Sequence, residues 1–346
     1  MGDHSHAVEL DMMDLLVRRY AFGEVSALVV AGFCDRCRTR AEAADIQQLC
    51  AFGKRLLDLD AEDFGIADAA TDANVDHSFA DEVTGDAVPD DLVLRSRAAR
   101  MPQSAAETDR GALASLRPAF SLLLEVIAAR WMRRETADLV ATMHIASEYL
   151  PLLIWEPVLG HAGDPARMVA SVGGDGSRWG HLDDRDCPQS RPEKSAAERA
   201  LRVSAEQDTG WRSYLDRQHS SVSAAFGVCA ADCRRPCTVL GRHTEEEQQR
   251  LADACRVAEN FADSAMIQLR HSAPVGHGFG VPSPREVMDT WLHTREHLGH
   301  REPAVLTDDG FPLPGLPSLF TALAGTTVKP DTLIADTAAA LRKALA

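Results

Sequence analysis

Two apolar stretches follow one another in the chain, "PAFSLLLEVIAARWM" at residues 118–132 and "ADLVATMHIASEYLPLLIW" at residues 137–155, joined through Arg133, Arg134, Glu135 and Thr136. In both, apolar side chains return every three to four residues, which is the period of an α-helix and not the strict alternation of a half-buried strand. The spacing predicts helices over 118–133 and 135–160. The same period recurs at about 7–22, 24–33, 40–57, 104–116, 193–205, 208–229, 245–271, 284–299 and 331–345, while strand alternation is almost absent. The fold class this implies is all-α, a multi-helix bundle of about ten helices with long irregular loops.

Two helix starts are marked by reciprocal caps. Thr244 with Glu247, and Ser283 with Glu286 behind Pro284, place a hydroxyl and a carboxylate where each can satisfy an orphan backbone amide. Irregular stretches fall at about 58–92, 173–192 and 272–283. With 346 residues the chain is long enough for one large helical domain or two smaller ones. Both halves are alike in composition, so the expectation is a single domain over 1–346, with 173–192 as the candidate subdomain break.

Charge narrows the function. The formal net charge is -16, and twelve acidic residues without a single Lys or Arg lie between Asp58 and Asp91. That segment reads as a mobile acidic loop at 58–91 and, in a sharper reading, as a docking site for a basic protein partner. No basic block compensates it, which excludes nucleic-acid binding by phosphate neutralisation. No apolar run reaches the ~18 residues of a membrane span, and the N-terminus lacks the pattern of a secretory signal. The expectation is a cytoplasmic protein with no membrane segment. The glycines of 173–192 and of "GHGFG" (276–280) are not followed by Gly-Lys-Ser/Thr and follow no readable strand, so no nucleotide-binding turn is present.

Chemistry is expected in two places. On a helical wheel centred on His144, Glu148 lies about 40° away, beside Ala137, Val140, Ala141, Ile145 and Leu152, with Asp138, Thr142 and Tyr149 on the far side. Glu125 on the preceding helix is set among Ser121, Leu122, Ala128, Ala129 and Met132. A carboxylate on an apolar face must be protonated, paired or bound to a cation. Glu125, His144 and Glu148 on two facing helices therefore read as catalytic acid–base groups or ligands of an iron or manganese ion. Carboxylate-bridged dimetal bundles use Glu-x-x-His steps, and this chain has none; Asp216 and His219 give only the aspartate analogue. Arg130, Arg133 and Arg134 offer the competing reading, a structural buried ion pair.

The second place is the cysteines. Cys50 and Cys255 share the register of Leu and Ala residues and read as small core side chains. Cys34 and Cys37 in "GFCDRCRT", with Cys229, Cys233 and Cys237 in "FGVCAADCRRPC", are the candidate metal ligands, for zinc or for an iron–sulfur cluster. Nearby Arg36, Arg38, Arg234 and Arg235 favour thiolates there. The string "HTREH" (293–297) matches the inverted zinc-protease motif. On the wheel, however, His293, His297 and His300 face away from Val287, Met288, Trp291 and Leu298, which makes them a surface stripe.

Two functions follow from these readings. One is a metal-dependent enzyme acting on a small-molecule substrate through Glu125, His144 and Glu148. The other is a non-enzymatic interaction or regulatory protein with a cysteine-ligated zinc or iron–sulfur site. Neither oligomeric state nor substrate is legible.

Overall fold

The structure is a computed structural model and describes residues 2–33, 39–59, 87–172, 243–272 and 280–346, with a few positions between 211 and 230. In chain order its helices are α1 (Gly2–Arg18), α2 (Phe22–Val30), α3 (Arg40–Asp58), α4 (Asp90–Ala99), α5 (Gly111–Ala114), α6 (Arg117–Arg133), α7 (Thr136–Leu159), α8 (Pro165–Val172), α9 (Glu245–Ala262), α10 (Ala265–Gln268), α11 (Pro284–Gly299), α12 (Leu316–Ala324) and α13 (Leu333–Leu345). Two 3-10 turns, Leu269–Ser272 and Pro303–Leu306, complete the set. Among the described residues there is no strand, so the all-α fold class holds. No described helix is long and apolar enough to cross a membrane.

The chain divides into two compact units, Met1–Met101 with Asp331–Ala346, and Pro102–Pro330. The first is assembled on α3, which packs against α2 and α13, while α13 also meets α1 and α4. Ile46, Leu49, Cys50, Phe52 and Leu56 of α3, Phe22 and Val25 of α2, and Leu333, Ile334 and Leu341 of α13 form its core. Thr39 and Glu42 cap α3 with a reciprocal pair like the two predicted ones. At Gly53 the ring of Phe22 comes so close that a Cβ would sit 2.7 Å from it. The return of the chain is tied down by one side chain. Arg95 of α4 donates to Asp336 (2.6 Å), Asp331 (2.7 Å) and Thr332 (3.0 Å) at the start of α13. Arg342 of α13 in turn donates to Asp14 of α1.

The second unit is built round α7, which packs against α6, α8, α9, α10 and α12. Leu139, Met143, Ala146, Leu150, Leu153 and Trp155 of α7 are all buried. Phe320 of α12 joins the aromatic contacts, edge-on to Phe120 of α6 at 5.1 Å and to Phe261 of α9 at 6.2 Å between centroids. The predicted caps are both present, Thr244 with Glu247 on α9 and Ser283 with Glu286 on α11. Behind α11, Arg295 donates to the carbonyls of Val305 and Leu306 and holds the 303–306 turn. Gly315 sits there at φ +86°, with a notional Cβ only 1.7 Å from the Val305 carbonyl oxygen, so only glycine fits.

Several boundaries differ from the expectation. The 58–92 stretch is helical at both ends, since Asp58 closes α3 and Asp90 and Asp91 open α4, where carboxylates complement the helix dipole. The rest of the acidic segment, 60–86, lies outside the described residues, as do 173–192 and most of 193–229. The helix expected at 104–116 is reduced to the single turn α5. The one expected at 245–271 breaks at Asp263–Ser264, where Ser264 turns extended before α10. Helices α8 and α12 were not anticipated, because Pro165 and Pro317 stand in their first turns and interrupt the apolar period that would have revealed them.

The close approach at Gly53 gives a paired test. Gly53→Ala pushes a methyl into the Phe22 ring and is expected to destabilise by about 1–3 kcal/mol. Gly23→Ala meets nothing nearer than Lys54 at 4.0 Å and is expected to be neutral or to stabilise by up to ~1 kcal/mol. Urea unfolding of the two variants checks the contrast in sign.

Candidate functional site

Helices α6 and α7 are joined at Arg134, whose left-handed backbone (φ 62°) ends α6, with Arg133 donating to Glu135 across the turn at 2.6 Å. Glu125 and His144 are equally far from this turn in opposite directions, so a hairpin of constant rise sets them at the same level. Glu148 follows His144 one turn on. Of the predicted trio, the contact described is that of His144 with Glu148.

In that contact His144 Nε2 lies 3.0 Å from Glu148 Oε1, and the two side chains are 19% and 31% exposed. Glu125 is buried, with Leu122, Leu124 and Ala129 buried around it on α6. The wheel put His144 and Glu148 on the buried side of α7, and here the structure corrects it. Ile145, expected inside, is 37% exposed, and Thr142, expected outside, is buried. The half-exposed stripe of an otherwise enclosed helix runs through Asp138, Ala141, His144, Ile145 and Glu148. The wheel misjudged this because α7 is apolar almost all round and offers no polar counterface from which to fix the direction of the core. Of the arginines proposed to neutralise the trio, Arg130 pairs with Asp138 at 3.1 Å and Arg133 with Glu135.

Among the described residues no three His, Cys, Asp or Glu side chains are placed to hold a metal ion. Cys34, Cys37, Cys229, Cys233 and Cys237 lie outside the described residues. The two cysteines assigned to the core are buried, and burial pushes both thiols up to about 12. At that value neither is a nucleophile near neutral pH.

A second polar cluster, at the C-terminal end of α7, was not read from the sequence. Gly160 and Gly163, both at positive φ, fold "GHAGD" (160–164) back into the protein, where His161 and Asp164 are almost fully buried. The Asp164 amide donates to His161 Nδ1 at 2.9 Å, which leaves the ring proton on Nε2 and the imidazole neutral. Burial, reinforced by the charge of Arg167 and opposed by that of Asp164, lowers the His161 pKa to about 4. The Asp164 carboxylate receives two hydrogen bonds from Arg110, at 2.7 and 3.0 Å. Arg110 also donates to the carbonyls of Ala105 and Glu107 and stacks 4.9 Å over the ring of Trp211. Nearby, Glu156 of α7 accepts from Ser115 Oγ (2.6 Å) and the Leu116 amide (2.8 Å), closing the start of α6.

The two clusters differ in what they can do. Arg110 and Asp164 spend their hydrogen-bonding capacity on one another and on the backbone, the arrangement of a structural pair. The His144–Glu148 dyad combines an oriented imidazole with partial access to solvent, which proton transfer requires.

Acid should act on the His161 cluster first. The folded state holds His161 neutral down to about pH 4, whereas an unfolded chain protonates it below the ordinary 6.5. Its contribution is thus complete above pH 6.5 and lost as pH falls from 6.5 to 4, on the order of 3 kcal/mol in all. His161→Asn keeps an acceptor near the Nδ1 position and cannot titrate. Between pH 7 and 4.5, wild type is expected to lose more stability in denaturant unfolding than this variant by most of that amount. No protein-family description matches the chain, and no curated protein or solved structure is significantly similar to it, so a reading of its function rests on the chemistry of these clusters.

Proposed function

We propose that the protein is an enzyme acting on a small molecule, with His144, Glu148 and Glu125 as its acid–base groups. The observation that carries the reading is the 3.0 Å contact between His144 Nε2 and Glu148 Oε1 on the half-exposed stripe of α7. In this scheme the Nε2 edge of His144 and the Glu148 carboxylate form the proton-exchanging pair that meets the substrate, since Nδ1 is buried. Glu125, buried on α6, is the candidate for the complementary acid in this scheme. Glu125, His144 and Glu148 are not among any three described side chains placed to hold a metal ion, so the acid–base form of the proposal is the one carried forward.

The interaction or regulatory reading, with zinc or an iron–sulfur cluster on Cys34, Cys37, Cys229, Cys233 and Cys237 and a basic protein partner on the acidic segment, rests on residues outside those described. The proposed setting for either function is the cytoplasm. Metal content separates them: zinc or sulfide lost on thiol blocking supports the second reading, and iron or manganese retained after blocking supports a metal-dependent form of the first.

Replacing His144 tests the acid–base proposal. A functional His144→Ala is expected to change stability by less than ~1 kcal/mol while abolishing the thermal-shift response to small-molecule ligands that raise the wild-type melting temperature. A purely structural histidine in this half-exposed pair would lose about 1 kcal/mol or less and leave the ligand response as in wild type. A His144→Ala protein that keeps the ligand response of wild type would overturn the proposal.

A further inference from the structure

On the outer face of α11 a group of exposed side chains has no hydrogen-bond or ion-pair partner among the described residues. Val287, Trp291, Thr294 and Leu298 bury the inner face, and the indole of Trp291 donates to the Pro314 carbonyl at 3.1 Å, so the helix is fixed in rotation. This leaves Asp289, His293, Glu296, His297 and His300 exposed on one arc. No hydrogen bond or ion pair holds the side chains of His293, Glu296, His297 or His300 to any described residue. By contrast, His144 faces Glu148, His161 accepts from a backbone amide, and His243 lies 3.5 Å from Glu247.

Spacing gives these free imidazoles a shared target. Residues four apart on a helix project ~40° from one another with their Cβ atoms ~6 Å apart, which lets two imidazoles close on a single ion at ~2.0–2.1 Å from each nitrogen. His293 and His297 have this relation. Glu296 and His300, on the same arc, are available as outer hydrogen-bond partners of the ion's waters. Imidazole with carboxylate suits zinc, copper and nickel, and disfavours calcium and magnesium, which take oxygen ligands.

We propose that the exposed face of α11 is a binding site for one divalent transition-metal ion, with His293 and His297 as its paired ligands. The site is separate from the cysteine readings and does not depend on the α6–α7 proposal. Two ligands on a pre-folded helix suffice for binding, because once the first imidazole is attached the second acts at a high effective concentration and multiplies the affinity.

The experiment titrates the full chain, with its accessible thiols blocked, with Zn2+ alone, following heat and the imidazole NMR signals. The expected result is one equivalent that perturbs His293 and His297 together, with His293→Ala and His297→Ala each weakening it by about tenfold or more. His243→Gln should leave it unchanged. Because the replaced residues are exposed, the variants should keep the wild-type melting curve, which is recorded alongside. Zn2+ that binds the His293→Ala/His297→Ala double variant as it binds wild type, or that leaves the two imidazole signals unmoved in wild type, would overturn the site.

Discussion

A helix that is apolar round nearly its whole circumference must be enclosed on most sides, and α7 makes this demand on residues 102–330. Its buried positions follow no single stripe, since Leu139, Val140, Thr142, Met143, Ala146 and Ser147 succeed one another with little interruption. Among the described residues five other helices meet that demand by packing against it. Burying such side chains contributes about 1.5–3 kcal/mol each relative to exposure, so the burial of α7 is a main source of this unit's stability. The surrounding polar details serve the same end. Glu156 satisfies the start of α6, Ser283 and Glu286 satisfy the start of α11, and the Thr136 hydroxyl donates to the Pro282 carbonyl beside it.

Only one strip of α7 escapes full enclosure, and it carries His144 and Glu148. The contrast with His161, barely two residues past the end of the same helix, shows how little the residue type alone determines. One imidazole is sealed in, neutral and committed to a backbone amide; the other has a carboxylate partner and a route to solvent. Desolvation sets the first and partial access the second, and both follow from where α7 stops being surrounded.

The helices that the sequence reveals are those long enough for the apolar period to repeat, and α6 and α7 are placed almost to the residue. Caps are legible because Thr244, Glu247, Ser283 and Glu286 act locally. Helix α4 was hidden by the acidic stretch that runs into its first turn, and α8 and α12 by prolines that are compatible with a helix start. For the candidate site, the i, i+4 pairing of His144 with Glu148 is legible in the spacing. Their exposure is not, because periodicity locates a core only when a helix has a polar side. The Arg110–Asp164–His161 cluster could not be read at all. Its partners are up to 54 residues apart, and a buried loop looks in sequence like any other Gly- and Pro-containing loop.

Arg95 fastens α4 to the start of α13, which means that one compact unit contains both the first hundred residues and the last sixteen. On the ribosome these parts are separated in time. Residues 102–330 must be made between them, which at ~5–20 residues per second takes roughly ten to fifty seconds. Throughout that interval α3 has no α13 to cover the apolar face it will later share with Leu333, Ile334 and Leu341. The inserted unit, contiguous in the chain, can finish folding while the unit that precedes it is still waiting for its last helix.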